Sequence, residues 1–184
     1  MEHLRYHKII DHLILEELLN GKEVALRVWG KSMYPLMRQG DSIRLEKCTV
    51  GTLAIGDIIT FKKDCRYFTH RMLWRTKKAN GIMLVTKGDN EINPDPPVSP
   101  DHILGRVVAI RRAHRTLHLE APTWRFMNRV LGSLFLLETA FILLYRFSAG
   151  RLHPFRTFLA KSKPSQLYHH LKCKGLLFAT RIII

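Results

Sequence analysis

The stretch Val24-Ala25-Leu26-Arg27-Val28-Trp29, which leads directly into Gly30, indicates the fold class of this chain. Its apolar residues alternate with less apolar ones at the two-residue period of a β-strand. Further short β-like runs follow at 42–46, 58–62, 66–74, 82–86, 103–111 and 115–119. Gly-Asp, Gly-Thr, Asn-Gly and proline-rich segments separate these runs. Many short strands at this spacing predict a mainly β core, built as a small barrel or sandwich.

Helical patterns flank this strand-rich part. Residues 3–19 place apolar side chains at roughly helical spacing with charges between them, and Asn20-Gly21 supplies a helix stop. We therefore expect an N-terminal amphipathic helix within 1–21 and a β domain at 22–120. A C-terminal basic extension should follow at 121–184, with an apolar helix at 130–147.

Charge is spread unevenly along the 184 residues, whose formal net charge is +15. Residues 1–110 hold 17 Lys/Arg against 13 Asp/Glu, a net charge of +4, whereas residues 111–184 hold 13 against 2, a net charge of +11. The second part therefore favours an anionic partner, either lipid headgroups or nucleic acid. An anionic membrane surface is the better expectation because the basic residues flank an apolar run, and we expect no nucleic acid.

The apolar run at 130–147 has three interpretations: a transmembrane span, a monotopic or re-entrant helix, and a buried core helix. It is near the lower length limit for a span, and Glu138 at its centre would be costly in mid-bilayer. Basic residues flank it at Arg125, Arg129, Arg146 and Arg151. Because 111–129 and 146–163 each hold five Lys/Arg, the sequence does not set the side of the membrane. The prediction is a membrane-associated chain, otherwise cytoplasmic.

Other classes of protein are disfavoured. Charged residues interrupt any apolar core before residue 20, which argues against a secretory signal at the N-terminus. The three cysteines are widely separated and odd in number, which argues against a disulfide framework. We see no metal-ligand spacing, so we expect neither a metal nor a cofactor.

Three polar clusters carry the chemistry. They are Gly30-Lys31-Ser32-Met33-Tyr34-Pro35, Thr69-His70-Arg71, and Lys87-Gly88-Asp89-Asn90 running on to Asp95. A serine hydroxyl is a poor nucleophile until a base takes its proton, and that base needs a partner to orient it. A serine, a histidine and an aspartate in turn-rich or strand-like settings supply those parts.

These clusters, with Gly40-Asp41, Gly56-Asp57-Ile58-Ile59 and Gly105-Arg106-Val107, resemble the successive boxes of type I signal peptidases. The resemblance covers about residues 24–110, in the family's order. It is nearest to the branch of archaea and the endoplasmic reticulum, in which histidine replaces the usual lysine. It implies a mostly β fold with an apolar substrate groove, and a serine endopeptidase that cleaves signal or leader peptides.

The resemblance also assigns roles. Ser32 inherits the role of nucleophile, His70 that of general base, and Asp95 completes the triad. Asp89 is either a turn residue or a second polar partner for the site, and Arg71 belongs to the box of the base. Elementary chemistry agrees with this, because Gly30 and Pro35 would present Ser32 on a constrained turn whose backbone N–H can help form an oxyanion hole. Met33 would line the site as an adaptable apolar surface.

Two departures from the family bear on the substrate. The membrane helix usual just ahead of the serine box is replaced by the charged segment 3–19, and an aspartate often found before the catalytic one is replaced by Pro94. The substrate is therefore a preprotein with a signal sequence or the leader of one particular small peptide.

Two alternatives stay open. A self-cleaving repressor relative would need a DNA-binding module and a lysine base such as Lys87, and about 23 residues before the β core are too few for that module. The second alternative is a catalytically silent basic protein that binds membrane or RNA through 111–184.

Overall fold

The structure, a computed structural model, describes residues 12–64, 66–79 and 81–149, the last five of these by backbone alone. The first part of the predicted N-terminal helix, Cys65, Cys173 and the basic tail after residue 149 lie outside the described residues.

A short helix, α1, at residues 12–19 precedes seven strands, and one long helix, α2, follows them. The strands are β1 Val24–Arg27, β2 Ser42–Glu46, β3 Ile58–Lys63, β4 Arg66–Lys78, β5 Gly81–Lys87, β6 Ile103–Arg112 and β7 Arg115–His118. A 3₁₀ turn at Pro100–His102 leads into β6, and α2 covers Pro122–Ala149. The predicted fold class, mainly β with an N-terminal helix and a C-terminal helical extension, is confirmed.

The seven strands form one antiparallel sheet in the order β1-β2-β6-β3-β4-β5, with β7 paired to β6. The register shifts between β2 and β6, between β3 and β6, and between β4 and β5. Such bulges increase the local twist of a sheet. The largest differences from the predicted bounds are at β4, which extends to Lys78, and at α2, which begins at Pro122 instead of residue 130.

Of the three clusters of buried apolar residues among the described residues, two hold the β domain together and a small third one joins Leu73 of β4 to Phe135 of α2. The larger contains Ile14 and Leu18 of α1, the segment after β1, strands β2 and β6, and Trp124 of α2. The other lies on β3, β4 and β5 and includes Val98 from the loop after β5. Helix α2 begins earlier than predicted because Trp124, near its N-terminus, is buried in the larger cluster. Pro122 is compatible with this start, because the N–H that proline lacks would have no partner in the first turn of a helix.

Helix α2 buries one side of its surface and exposes another. The buried side includes Trp124, Asn128, Phe135 and Thr139, all less than 7% exposed. Helix α2 packs closely against the loop before β3, as shown by the 2.6 Å that would separate a Cβ on Gly132 from the Cα of Gly56. The exposed side carries large apolar residues at a spacing of three or four: Phe126, Val130, Leu134, Leu137, Phe141 and Leu144.

This helix therefore combines features of two of the three interpretations. One side is packed against the sheet, as in a core helix, while the other presents an apolar stripe, as in a helix that contacts a membrane. By length and composition alone, Pro122–Leu144 could also cross a membrane.

Candidate active site

Ser32 lies in the turn that follows β1 and is half-buried. Its carbonyl accepts a hydrogen bond of 2.7 Å from the backbone N–H of Asn90. Met33 and Pro35, which follow it, are buried, and the Tyr34–Pro35 peptide bond is cis. Buried anchors on the one side and a backbone hydrogen bond on the other fix the turn that carries the hydroxyl.

His70 lies on β4, opposite Ile59 of β3, and its side chain is 3% exposed. Its Nδ1 lies 2.6 Å from Oδ2 of Asp95. The rings of Phe61 and Phe68 meet the imidazole edge-on at centroid distances of 6.0 and 6.1 Å. These contacts restrict the rotation of the imidazole, so the carboxylate and the two rings together set its orientation.

Asp95 is held in place by Thr86 of β5. The backbone N–H of Asp95 donates to the carbonyl of Thr86 at 2.7 Å, and the Thr86 hydroxyl donates to Oδ2 of Asp95 at 2.6 Å. Further along the loop, Val98 and Leu84 exchange two backbone hydrogen bonds. The proline-rich loop is therefore fastened to β5 at two points, which fixes the carboxylate.

Ser32 and His70 line the same cleft, whose volume is about 730 Å³. Most of the other contributions come from the segment from β1 to the serine turn and from the start of β4, among them Leu26, Val28, Met33 and Tyr67. Because Asp95 occupies Nδ1, Nε2 is the imidazole nitrogen left for a reacting hydroxyl.

Arg71 and Asp89 form a separate, fully buried pair, and neither residue lines the cleft. Nε of Arg71 donates to Oδ1 of Asp89 at 2.8 Å, and a terminal nitrogen donates to Oδ2 at 2.7 Å. This bidentate geometry is the strong form of a charge-assisted hydrogen bond. The carboxylate bonded to His70 is therefore that of Asp95, while Asp89 is engaged by the neighbouring arginine.

Helix α2 contributes to the same buried region. Asn128 Oδ1 accepts a hydrogen bond of 2.8 Å from Arg71, and Oε2 of Glu138 lies 3.1 Å from Nζ of Lys87. The central carboxylate of the apolar run thus has a cationic partner within the protein. Sequence reasoning missed these contacts and that of Thr86, although Thr86 directly precedes the Lys-Gly-Asp box.

Among the described residues, no group of three or more His, Cys, Asp or Glu is arranged to hold a metal ion. Burial raises the pKa of the Cys48 thiol to about 11, an effect that nearby Arg106 partly opposes. A thiol with such a pKa is a weak nucleophile at neutral pH.

Comparison with known proteins relates this chain to peptidases. Residues 2–108 match the Peptidase S24-like family. A 75-residue segment is 37% identical to "Signal peptidase I W" of Bacillus subtilis (strain 168). That match covers 39% of this chain and 40% of the relative, so the chain spans less than half the length of this curated relative.

Proposed function

Because the chain belongs to the Peptidase S24-like family, we propose that it is a serine endopeptidase that cleaves signal or leader peptides. Ser32 is the nucleophile, His70 the general base and Asp95 the group that orients the base. The observation that carries this proposal is the 2.6 Å contact between His70 and Asp95 at a cleft that Ser32 also lines.

The reaction is an acyl transfer in two stages. Oγ of Ser32 attacks the scissile carbonyl while Nε2 of His70 takes its proton, and the imidazolium then protonates the leaving amine. Water, activated by the same imidazole, hydrolyses the ester on Ser32. Asp95 stabilises the imidazolium throughout, and Thr86 and the Asp95 backbone hold that carboxylate in place.

The tetrahedral intermediate needs donors for its oxyanion. The backbone N–H of Ser32 is a suitable donor because the serine turn is fixed by the Asn90 hydrogen bond and by buried Met33 and Pro35. Loss of one such donor typically costs about 3 kcal/mol of transition-state stabilisation. Accurate placement of the turn is therefore as important as the hydroxyl itself.

The substrate class rests on the cleft and on the signal peptidase relative. An apolar cleft of about 730 Å³ beside the nucleophile suits the apolar segment of a signal or leader peptide. The exposed apolar stripe of α2, in a part of the chain with a strong positive charge, would hold the enzyme at an anionic membrane surface where such substrates are delivered.

A self-cleaving repressor is the second candidate, because the S24 family also includes such proteins. Two observations favour the endopeptidase. His70 has the carboxylate partner expected of a base, whereas Lys87, the alternative base, is buried and forms an ion pair with Glu138 of α2. A self-cleaving chain would yield fragments when incubated alone, whereas an endopeptidase stays intact and cleaves an added leader peptide.

The decisive experiment is labelling of the purified protein with a fluorophosphonate probe, together with cleavage of a leader-bearing preprotein. We expect Ser32→Ala and His70→Ala to abolish both labelling and cleavage without loss of the folded state, measured by circular dichroism. Ser133→Ala, at an exposed position on α2, is the matched control and should behave as the wild type. Undiminished cleavage by Ser32→Ala would contradict the assignment.

A further inference from the structure

The segment Thr86–Asn90 presents alternate residues to two different neighbours. On one side, Thr86 donates to Asp95 at 2.6 Å, and Asn90 donates to the Ser32 carbonyl at 2.7 Å. Gly88 lies against the serine turn so closely that a Cβ there would be 2.8 Å from the Ser32 carbonyl oxygen. On the other side, Lys87 and Asp89 contact Glu138 and Arg71 respectively. The segment Thr86–Asn90 thus connects α2 to the serine turn and to the loop that carries Asp95.

Strand β4 shows the same alternation. His70 lines the cleft, whereas the next residue, Arg71, is fully buried and lies opposite Lys87 in the register of β4 and β5. Besides Asp89, Arg71 contacts the carbonyl of Gly56 at 2.9 Å and the amide oxygen of Asn128 at 2.8 Å. The base is therefore one residue away from a group that contacts α2. The nucleophile lies against Gly88 and Asn90, which belong to the segment that contains Lys87.

Helix α2 supplies what these two buried cations require. Asn128 gives a hydrogen-bond acceptor to Arg71, and Glu138 gives a carboxylate to Lys87, whose side chain is 0% exposed. The ring of Phe135 lies beneath both, 5.9 Å from the Arg71 guanidinium carbon and 5.5 Å from Lys87 Nζ. A buried charge that loses its partner is strongly destabilising, so these contacts constrain where the segment can lie.

We infer that α2, which lies outside the residues matched to the peptidase family, is a positioning element for the catalytic site. Glu138 and Asn128 hold Lys87 and Arg71, and these in turn fix the segment that places Ser32 and Asp95. This inference rests on the proposed function for its activity readout, whereas its structural readout is independent of that function.

The test uses the full chain with Glu138→Gln, which removes the carboxylate charge with little change of shape. A soluble leader peptide in detergent without lipid serves as substrate, so that membrane contact does not enter. We expect kcat to fall at least tenfold while KM stays within about twofold, because the cleft itself is unchanged. Backbone amide resonances of Thr86, His70 and Asn90 should shift in NMR spectra of the variant.

Ala140→Gln is the matched control, since it places the same amide two residues away at an exposed position outside the apolar stripe. It should retain the wild-type rate and the three wild-type resonances. If Glu138→Gln does not fold, Glu138→Asp keeps the charge but shortens its reach, and it should give a smaller decrease in kcat with shifts at the same amides.

The outcomes separate the two proposals. A folded Glu138→Gln, or Glu138→Asp, with the wild-type kcat and unshifted amides would overturn the positioning role while leaving the peptidase intact. If the wild-type chain does not react at all, the proposed function fails, and the amide shifts of the variant then decide the positioning role by themselves. Shifts confined to residues of α2 would also overturn it.

Discussion

At the scale of single residues, Thr86 is the group whose role is most sharply defined by its contacts. Its hydroxyl donates to the same carboxylate oxygen that contacts His70. Thr86→Val removes that donor and keeps the shape, and a hydrogen bond to a charged group contributes about 1.5–3 kcal/mol. We expect kcat/KM for a leader peptide to fall by roughly tenfold or more.

Thr86→Ser is the control for this prediction because it keeps the hydroxyl, and it should lie within about threefold of the wild type. Steady-state kinetics over a range of pH, on variants shown to be folded, provide the measurement. Equal rates for the valine and serine variants would mean that the backbone N–H of Asp95 is sufficient to hold the loop.

Cys48 offers a prediction that is independent of activity. Burial raises the pKa of its thiol from 9.0 to about 11, because removal from water costs the charged thiolate more free energy than it costs the neutral thiol. At pH 8 the reactive thiolate fraction should therefore be roughly one hundredth of that of a free cysteine. We expect alkylation by iodoacetamide in a Cys65→Ser/Cys173→Ser background to be slower by about that factor.

The pH dependence of this alkylation checks the sign of the shift. The rate should keep rising about tenfold per pH unit from pH 8 to 10, whereas in the urea-unfolded chain it should level off above pH 9. A folded-state plateau near pH 9 would contradict the burial of the thiol.

At the scale of elements, close approach between the Lys-Gly-Asp box and the serine turn depends on Gly88. A Cβ at this position would lie 2.8 Å from the carbonyl oxygen and 3.0 Å from the Cβ of Ser32. Gly88→Ala must therefore displace the turn, at a cost of about 1–3 kcal/mol for overpacking. We expect lower stability in urea unfolding and a rate of Ser32 labelling reduced at least tenfold.

Gly51→Ala is the matched control because the nearest atom to its Cβ, the hydroxyl oxygen of Thr49, lies at 3.9 Å. It should change neither quantity. If Gly88→Ala loses stability but is labelled at the wild-type rate, the position of the serine turn is less critical than the proposed mechanism requires.

At the scale of the whole molecule, the fold class and the three members of the candidate triad could be proposed from sequence. Strand periodicity and turn residues are local signals, and the polar boxes are short. The sequence could not decide whether Asp95 or Asp89 orients His70, because the answer depends on how the loop after β5 folds back onto Thr86.

Helix α2 is a second feature that the local sequence could not determine. Its apolar composition left a span, a surface helix and a core helix open, since composition does not reveal which side packs. Two long-range contacts decide how its buried side is used: Glu138 with Lys87, and Asn128 with Arg71. Neither pair is close in sequence, so no local pattern could have indicated them.

The last prediction concerns the exposed apolar stripe of α2. A span through Pro122–Leu144 would have to break the contacts of Asn128 and Glu138, so we expect the helix to lie on an anionic bilayer with its stripe inserted. Vesicle flotation should show binding that requires anionic lipid and weakens with salt.

Leu137→Glu/Phe141→Glu, which charges two stripe residues that are 66% and 71% exposed, should weaken this binding at least tenfold, because burial of each side chain contributes about 1.5–3 kcal/mol. Ile82→Glu charges an exposed apolar residue on β5 instead and should bind as the wild type does. Resistance of the bound wild-type protein to alkaline carbonate extraction would contradict surface binding, since a spanning helix resists that treatment and a helix lying in the interface does not.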